Sequence, residues 1–188
     1  MPDARAEPGR RAVFLDRDGT IVEDPGFLHE PGKVRLLAGA GEAIHQLNQA
    51  GWLVITVSNQ SGIARGLYDA AAYDAVQRRL VELLATHSAR LDGAYFCPHH
   101  PDFTGACECR KPGLRLFREA AAALGLELAR CVWVGDRRSD VEPARRLRGR
   151  ALLVETGSGG AHAGKARALG VPVVADLAAA AAEIVRGG

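Results

Sequence analysis

Apolar and polar positions change along this chain in two rhythms. Short apolar runs at 12–16, 52–58, 93–97, 131–135, 150–155 and 171–175 read as strands buried in a sheet. Between most of them the apolar positions recur at helical spacing. That spacing predicts helices over 40–50, over 69–89 with Asp69 as N-cap, over 113–124 just after Pro112, over 139–148, and over 176–186 behind Asp176. Ser139-Asp140-Val141-Glu142 fits a capping box at the start of the helix over 139–148. The alanine-rich stretch from Leu177 to Ala182 runs into Ile184-Val185, so it is expected to pack as a helix rather than to trail as a linker. Strands alternating with helices predict an α/β fold with a parallel sheet. No repeat or inserted second domain interrupts the pattern. Residues 1–188 are therefore expected to form one domain, with the polar residues 1–10 as a flexible tail.

Composition narrows the classes of function. The chain has 188 residues, is 47% hydrophobic and carries a formal charge of +2, enough apolar material for a substantial core and too little net charge for an extended nucleic-acid surface. Small anionic ligands remain compatible with that balance. Met1 to Arg11 lacks the apolar core of a signal peptide, and no stretch approaches the length needed to span a bilayer. A cytoplasmic protein with neither membrane nor nucleic-acid partners is expected.

Candidate chemistry gathers where strands end. The run into Phe14-Leu15 is followed by Asp16-Arg17-Asp18-Gly19-Thr20. Residues i and i+2 of an extended chain point the same way, so both carboxylates are expected to address one small volume in the crevice where α/β sheets bind ligands. Neighbouring carboxylates repel, and a hard divalent cation such as Mg²⁺ relieves the repulsion. A solvated turn with two chance acids is the plain alternative. Trp52 to Val57 runs into Ser58-Asn59-Gln60-Ser61-Gly62-Ile63-Ala64-Arg65-Gly66. There a hydroxyl and backbone N–H groups can hold phosphate oxygens, and two glycines permit close backbone approach. An ordinary loop has the same composition.

Cys97-Pro98-His99-His100 and Cys107-Glu108-Cys109 fall in a predicted loop. Cys97, His99, Cys107 and Cys109 make a complete tetrahedral set of soft donors with no open position, which describes structural Zn²⁺. A disulfide is disfavoured by a cytoplasmic setting and by the poor reach of Cys-x-Cys to itself. His100 is expected at the surface or beside the zinc ligands, and Cys131 as a buried thiol. Arg110 and Lys111 follow directly, two cations on backbone that zinc would hold rigid, suited to phosphate. A last strand ends in Gly135-Asp136, with Asp140 four residues on. Asp136 completes a carboxylate site, while Asp140 either bonds Lys111 or the metal's waters, or compensates a helix N-terminus.

Asp16-x-Asp18, Ser58, Lys111 and Gly135-Asp136 resemble the four ordered motifs of the haloacid-dehalogenase (HAD) phosphohydrolase superfamily. Asp-Arg-Asp-Gly-Thr-Ile, the Ser-Asn-Gln-Ser-Gly-Ile-Ala-Arg-Gly segment and the Cys-Pro-His-His-Pro and Cys-x-Cys-Arg-Lys-Pro runs narrow this to its heptose-bisphosphate phosphatases, with the histidinol-phosphate phosphatases as nearest rival. The resemblance implies a Rossmann-like fold without a large cap, a zinc loop, Mg²⁺ as cofactor, and a small sugar bisphosphate as substrate; a capless chain of this size is expected to be a monomer. By position, Asp16 would be the nucleophile and Asp18 the general acid and base. Asp16, the Asp18 backbone carbonyl and Asp136 would hold Mg²⁺. Ser58 and Lys111 would steady the phosphoryl group. Substrate contacts would come from Asp24, Pro25, Gly26 and Phe27, from Ser58, Asn59, Gln60 and Ser61, from Arg110 and Lys111, and from Arg137, which stands where relatives commonly have Lys. A catalytically idle, zinc-stabilised binding module is the reading from another class.

Overall fold

Six parallel strands form one sheet in the order β3-β2-β1-β4-β5-β6. They are β1 (Ala12–Leu15), β2 (Leu53–Asn59), β3 (Gly93–Cys97), β4 (Val132–Gly135), β5 (Arg150–Val154) and β6 (Val173–Val174). The computed structural model describes residues 9–187. The helices are α1 (Ala40–Gln49), α2 (Ser61–Ala64), α3 (Ala70–Ala85), α4 (Pro101–Thr104), α5 (Arg115–Leu124), α6 (Arg138–Leu147), α7 (Gly159–Ala168) and α8 (Leu177–Arg186). All predicted strands and long helices are present, within a few residues of their expected bounds.

Residues of β1, β2 and β4 alternate between two cores, and Leu153 of β5 joins Val141, Ala163 and Ala166 in a smaller third cluster. Val13, Leu15, Val54, Val132 and Val134 face α1, α3 and α8. Ala12, Phe14, Ile55, Cys131 and Trp133 face α5 and α6, where Phe14, Phe117 and Trp133 pack edge to face or tilted with centroids 5.0–5.6 Å apart. Cys131 is the buried thiol expected of it. Leu177, Ala180, Ala181 and Ile184 of the alanine-rich α8 are buried against the first of these cores.

Several expectations need correction. Gly159–Ala168 forms α7, which no pattern announced, because GGAHAGKARA presents no apolar stripe. The helix over 139–148 begins at Arg138, and its cap is the Arg137 N–H donating to Asp140 Oδ2 at 2.9 Å rather than a box from Ser139. The segment between the cysteine pairs is not all loop, since Pro101–Thr104 makes a helical turn. Residues 1–8 of the expected tail lie outside the described residues. Gly9 and Arg10 do not behave as a tail: Arg10 bridges Leu126, and the Gly9 carbonyl accepts from Arg130.

The strand order reverses between β1 and β4, and the crevice of such a sheet opens at that point, beyond the carboxyl ends of the strands. Register fixes what meets there. Leu15 lies opposite both Thr56 of β2 and Val134 of β4, and the Asp16 N–H extends the ladder to the Val134 carbonyl at 3.0 Å. Asp16 is thereby level with Val57 on one side and Gly135 on the other.

Candidate active site

Lys111 enters this crevice from the segment after the cysteines. Its Nζ donates to Asp16 Oδ1 at 2.8 Å, to Asp140 Oδ1 at 2.9 Å and to the Val57 carbonyl, which accounts for its ammonium protons. Burial opposes its charge, but Asp140 and Asp16 more than compensate and raise its pKa. Both expectations for Asp140 are met, one by each oxygen: Oδ1 pairs Lys111 and Oδ2 caps α6. Gly135 is needed here, since a Cβ at that position would stand 2.3 Å from Asp140 Cβ.

Lys111, with Arg137 Nε 3.9 Å from Asp136 Oδ1, does not balance these acids. Burial pushes Asp16 up to about 7, with Lys111 pulling it down and Asp140, Asp18 and Asp136 adding repulsion. Burial likewise pushes Asp136 up to about 6, against the bond from the Ser158 N–H. Asp136 Oδ2 accepts that bond at 2.7 Å, whereas its Oδ1 is buried without a hydrogen-bond partner. Oxygens of Asp16, Asp136 and Asp140 lie within 4.8 Å of one another. An orphaned carboxylate oxygen among converging acids is the donor set that suits a hard divalent cation.

Asp18 corrects the period-two expectation. β1 stops at Leu15, and the chain turns so that the Ile21 and Val22 amides donate to the Arg17 carbonyl and Gly19 takes φ +84°. Asp16 and Asp18 line the same cleft, but the Asp18 carboxylate faces Arg17 and Gln60 instead of the Asp16 cluster.

The segment after β2 divides by role. Asn59 clasps the Lys111 backbone, accepting its N–H on Oδ1 at 2.9 Å and donating from Nδ2 to its carbonyl at 3.2 Å. Gln60 is committed to Asp18, Ser58, Arg17 and Tyr68. Ser58 is 1% exposed beneath Gln60 and does not line the cleft, whereas Asn59, Gln60 and Ser61 do. The fold itself calls for both glycines: a Cβ at Gly62 would stand 2.1 Å from the Tyr68 ring, and Gly66 takes φ +70° in a turn.

The four donors of the cysteine–histidine group converge as a tetrahedral metal site would need. Four donors about 2.3 Å from a common tetrahedral centre stand about 3.8 Å from one another. The sulfurs of Cys97, Cys107 and Cys109 are 3.1–3.7 Å apart, and His99 Nδ1 is 3.8 Å from Cys97 and 3.2 Å from Cys109. All four cysteines are free thiols, Cys131 standing apart from the group. His100 is not part of it; its Nδ1 caps α4 by accepting from the Asp102 N–H, and its Nε2 lies 3.2 Å from Arg65 Nη2.

The cleft above these groups has a volume of about 500 Å³. Asp24, Gly26 and Phe27 of the expected flap line it; Pro25 does not. Arg137 Nη2 pairs with Asp24 at 3.1 Å, and Arg110, bonded to the His99 carbonyl, faces the same space. Phe27 is 44% exposed with φ +52°, an uncommon conformation for a bulky side chain.

Comparison with known proteins agrees with this geometry. Residues 108–180 match the model of a HAD-hydrolase-like family. The chain is 37% identical over 178 residues to D-glycero-beta-D-manno-heptose-1,7-bisphosphate 7-phosphatase of Pseudomonas aeruginosa, covering 94% of this chain and 99% of that protein. It is 38% identical over 155 residues to the protein of the same name from Photorhabdus laumondii, covering 79% of this chain and 82% of that one. The chain belongs to the HAD hydrolases, among the heptose-bisphosphate phosphatases. A crystal structure of D,D-heptose 1,7-bisphosphate phosphatase from B. bronchiseptica, complexed with magnesium and phosphate, superposes with a TM-score of 0.86 at 34% identity, covering 95% of this chain and 99% of that one.

In this HAD chain further residues join the site without any local sequence pattern to mark them. Thr156 donates to the Gly19 carbonyl at 2.7 Å, and Ser158 holds Asp136, so the loop after β5 props the carboxylate site from behind. Arg65, Tyr68, His100 and Ser139 also line the cleft. Arg65 was visible as a cation near two glycines, but nothing local placed it over the phenyl rings of Phe27 and Phe103, 5.8 and 4.7 Å from their centroids. No helix among the described residues is long and apolar enough to cross a membrane.

Proposed function

We propose that this chain is a phosphatase that removes the C7 phosphate of D-glycero-D-manno-heptose 1,7-bisphosphate. The observation that carries the reading is the convergence of Asp16, Lys111, Asp140 and Asp136 at the point where the strand order reverses. Names of relatives covering nearly the whole chain support the substrate.

Asp16 attacks phosphorus, forming an aspartyl-phosphate as the bond from phosphorus to the sugar oxygen breaks, and Asp18 delivers its proton to that leaving oxygen. Asp18 then takes a proton from a water whose oxygen attacks phosphorus, and the bond from phosphorus to Asp16 breaks, releasing inorganic phosphate and restoring the Asp16 carboxylate. Lys111 orients the nucleophile and offers charge to the phosphoryl oxygens, and Ser58 supports that end of the site through Gln60. Asp16, Asp136 and the Asp18 backbone carbonyl would hold Mg²⁺, which supplies positive charge to the developing phosphoryl oxygens when bound. Cys97, His99, Cys107 and Cys109 would hold a structural Zn²⁺ that fixes the segment leading to Arg110 and Lys111. Asp24, Gly26, Phe27, Ser61, Arg110 and Arg137 line the space available to the rest of the sugar bisphosphate.

The test is phosphate release from both anomers of the heptose bisphosphate, from fructose 1,6-bisphosphate and from histidinol phosphate, with and without Mg²⁺. The heptose bisphosphate should be preferred by kcat/KM, with loss of the C7 phosphate visible by phosphorus NMR. A large preference for histidinol phosphate would overturn the substrate, and no phosphate release from any compound would overturn the enzyme.

A further inference from the structure

Between the two acids stands Arg17, a cation with 0% exposure. Its Nε donates to Asp18 Oδ1 and its Nη2 to Asp18 Oδ2, both at 2.9 Å, forming a two-pronged pair. Nη2 also lies 3.3 Å from Gln60 Oε1 and 3.5 Å from the Leu28 carbonyl, and the guanidinium carbon stands 5.2 Å from the Tyr73 ring centroid. Burying a guanidinium is costly, and an apolar side chain of similar volume commonly serves stability as well or better. What the fork adds is geometry: two parallel bonds fix the plane and rotamer of a carboxylate, which the point charge of lysine does not.

A second group acts on the same carboxylate. Tyr68 OH donates to Gln60 Oε1 at 2.6 Å, on the same oxygen that Arg17 approaches. Two donors on that oxygen decide which way the amide faces, so Nε2 is turned toward Asp18 Oδ2 at 3.0 Å and Ser58 Oγ at 3.1 Å. Asp18 is thus gripped by Arg17 and Gln60 while 19% of its side chain stays open, on the cleft.

We infer that Arg17 is a positioning residue for proton delivery: with Gln60 aligned by Tyr68, it aims the open edge of the Asp18 carboxylate at the oxygen leaving phosphorus. The inference rests on Asp18 being the proton donor proposed above. It differs from a merely structural role in what it predicts for different leaving groups. An alkoxide needs a proton as it leaves, whereas p-nitrophenolate leaves without one. kcat/KM reports events up to the first irreversible step, so water activation in the second half does not enter it.

The experiment compares kcat/KM for the sugar bisphosphate with that for p-nitrophenyl phosphate in wild type, Arg17→Lys, Tyr68→Phe and Asp18→Asn, with folding checked by circular dichroism. Arg17→Lys keeps the charge and loses the fork. It should lower kcat/KM on the sugar phosphate by about 100-fold, the scale of general acid catalysis, and on the aryl phosphate by several-fold at most. Tyr68→Phe should show the same asymmetry in milder form, which keeps the test decisive if Arg17→Lys fails to fold. Asp18→Asn should show the asymmetry most strongly. If Asp18→Asn shows it while Arg17→Lys and Tyr68→Phe slow both substrates equally, Arg17 is structural and the inference is wrong. If Asp18→Asn also slows both equally, the assignment of Asp18 fails and the inference falls with it.

Discussion

Lys111 Nζ stands 2.8 Å from Asp16 Oδ1 across ninety-five positions of sequence, with only 2% of the lysine side chain exposed. The same ammonium bridges to Asp140, so one cation holds two buried acids. Lys111→Met removes that cation and leaves both acids uncompensated in the interior. It should cost about 3–5 kcal/mol of stability as well as activity, measured by denaturant unfolding of the variant. A variant as stable as wild type would show that the pair carries little.

Asp16→Asn tests the nucleophile from the other side. The amide keeps the shape and an oxygen for Lys111, and it removes a charge that burial already disfavours, so the fold should persist. Turnover should fall on the order of 10⁴-fold or more, as when other covalent nucleophiles are removed. Normal phosphate release from the folded variant would exclude Asp16 as nucleophile.

Asn59 is expected to place Lys111, because both ends of its amide are bonded to the Lys111 backbone. Asn59→Asp keeps the acceptor and loses the donor to the Lys111 carbonyl. About 1–2 kcal/mol of stability should go with that bond. In steady-state kinetics kcat should drop more than KM rises; a pure KM effect would instead make Asn59 a substrate contact.

Gly157 touches the carboxylate site from behind. With φ +55°, a Cβ there would meet Asp136 Oδ2 at 2.5 Å and Gly19 Cα at 2.6 Å. Gly157→Ala should displace Asp136 and weaken the apparent affinity for Mg²⁺ by about 10-fold or more, the usual scale for disturbing a ligand's support. Titrating activity with Mg²⁺ reads this directly, and an unchanged midpoint would remove Asp136 from the metal site.

Zinc content is separately measurable. Metal analysis should find about one tightly held Zn²⁺ per chain, and Cys107→Ser should reduce it. Hydrogen exchange should then quicken through Arg110 and Lys111, the residues that follow the last cysteine. Full activity in a protein free of zinc would contradict a structural role.

Motifs whose chemistry is carried by residue type were legible from the chain. Cys97, His99, Cys107 and Cys109 form a complete donor set in any arrangement that brings them together, and the β-hydrophobic runs around Phe14 and Trp133 leave little choice but a buried sheet. Gly159–Ala168 carries no helical stripe of its own; burial of Ala163 and Ala166 against β5 makes it a helix. Strand periodicity puts Asp18 beside Asp16 only while the strand lasts, and β1 ends at Leu15.

What the sequence determined by itself is therefore the class of fold, the set of acids and thiols, and the strand ends at which they lie. Those follow from hydrophobic period and donor chemistry, which are local. Only the tertiary structure decided that Asp16 and Asp18 face different partners, that Asn59 holds Lys111, and that Thr156 and Ser158 brace the acids. Apart from the Arg17 fork on its own neighbour Asp18, each is a contact between segments far apart in the chain, such as Asp18 with Gln60, and no local pattern encodes which distant groups strand order and register will bring face to face.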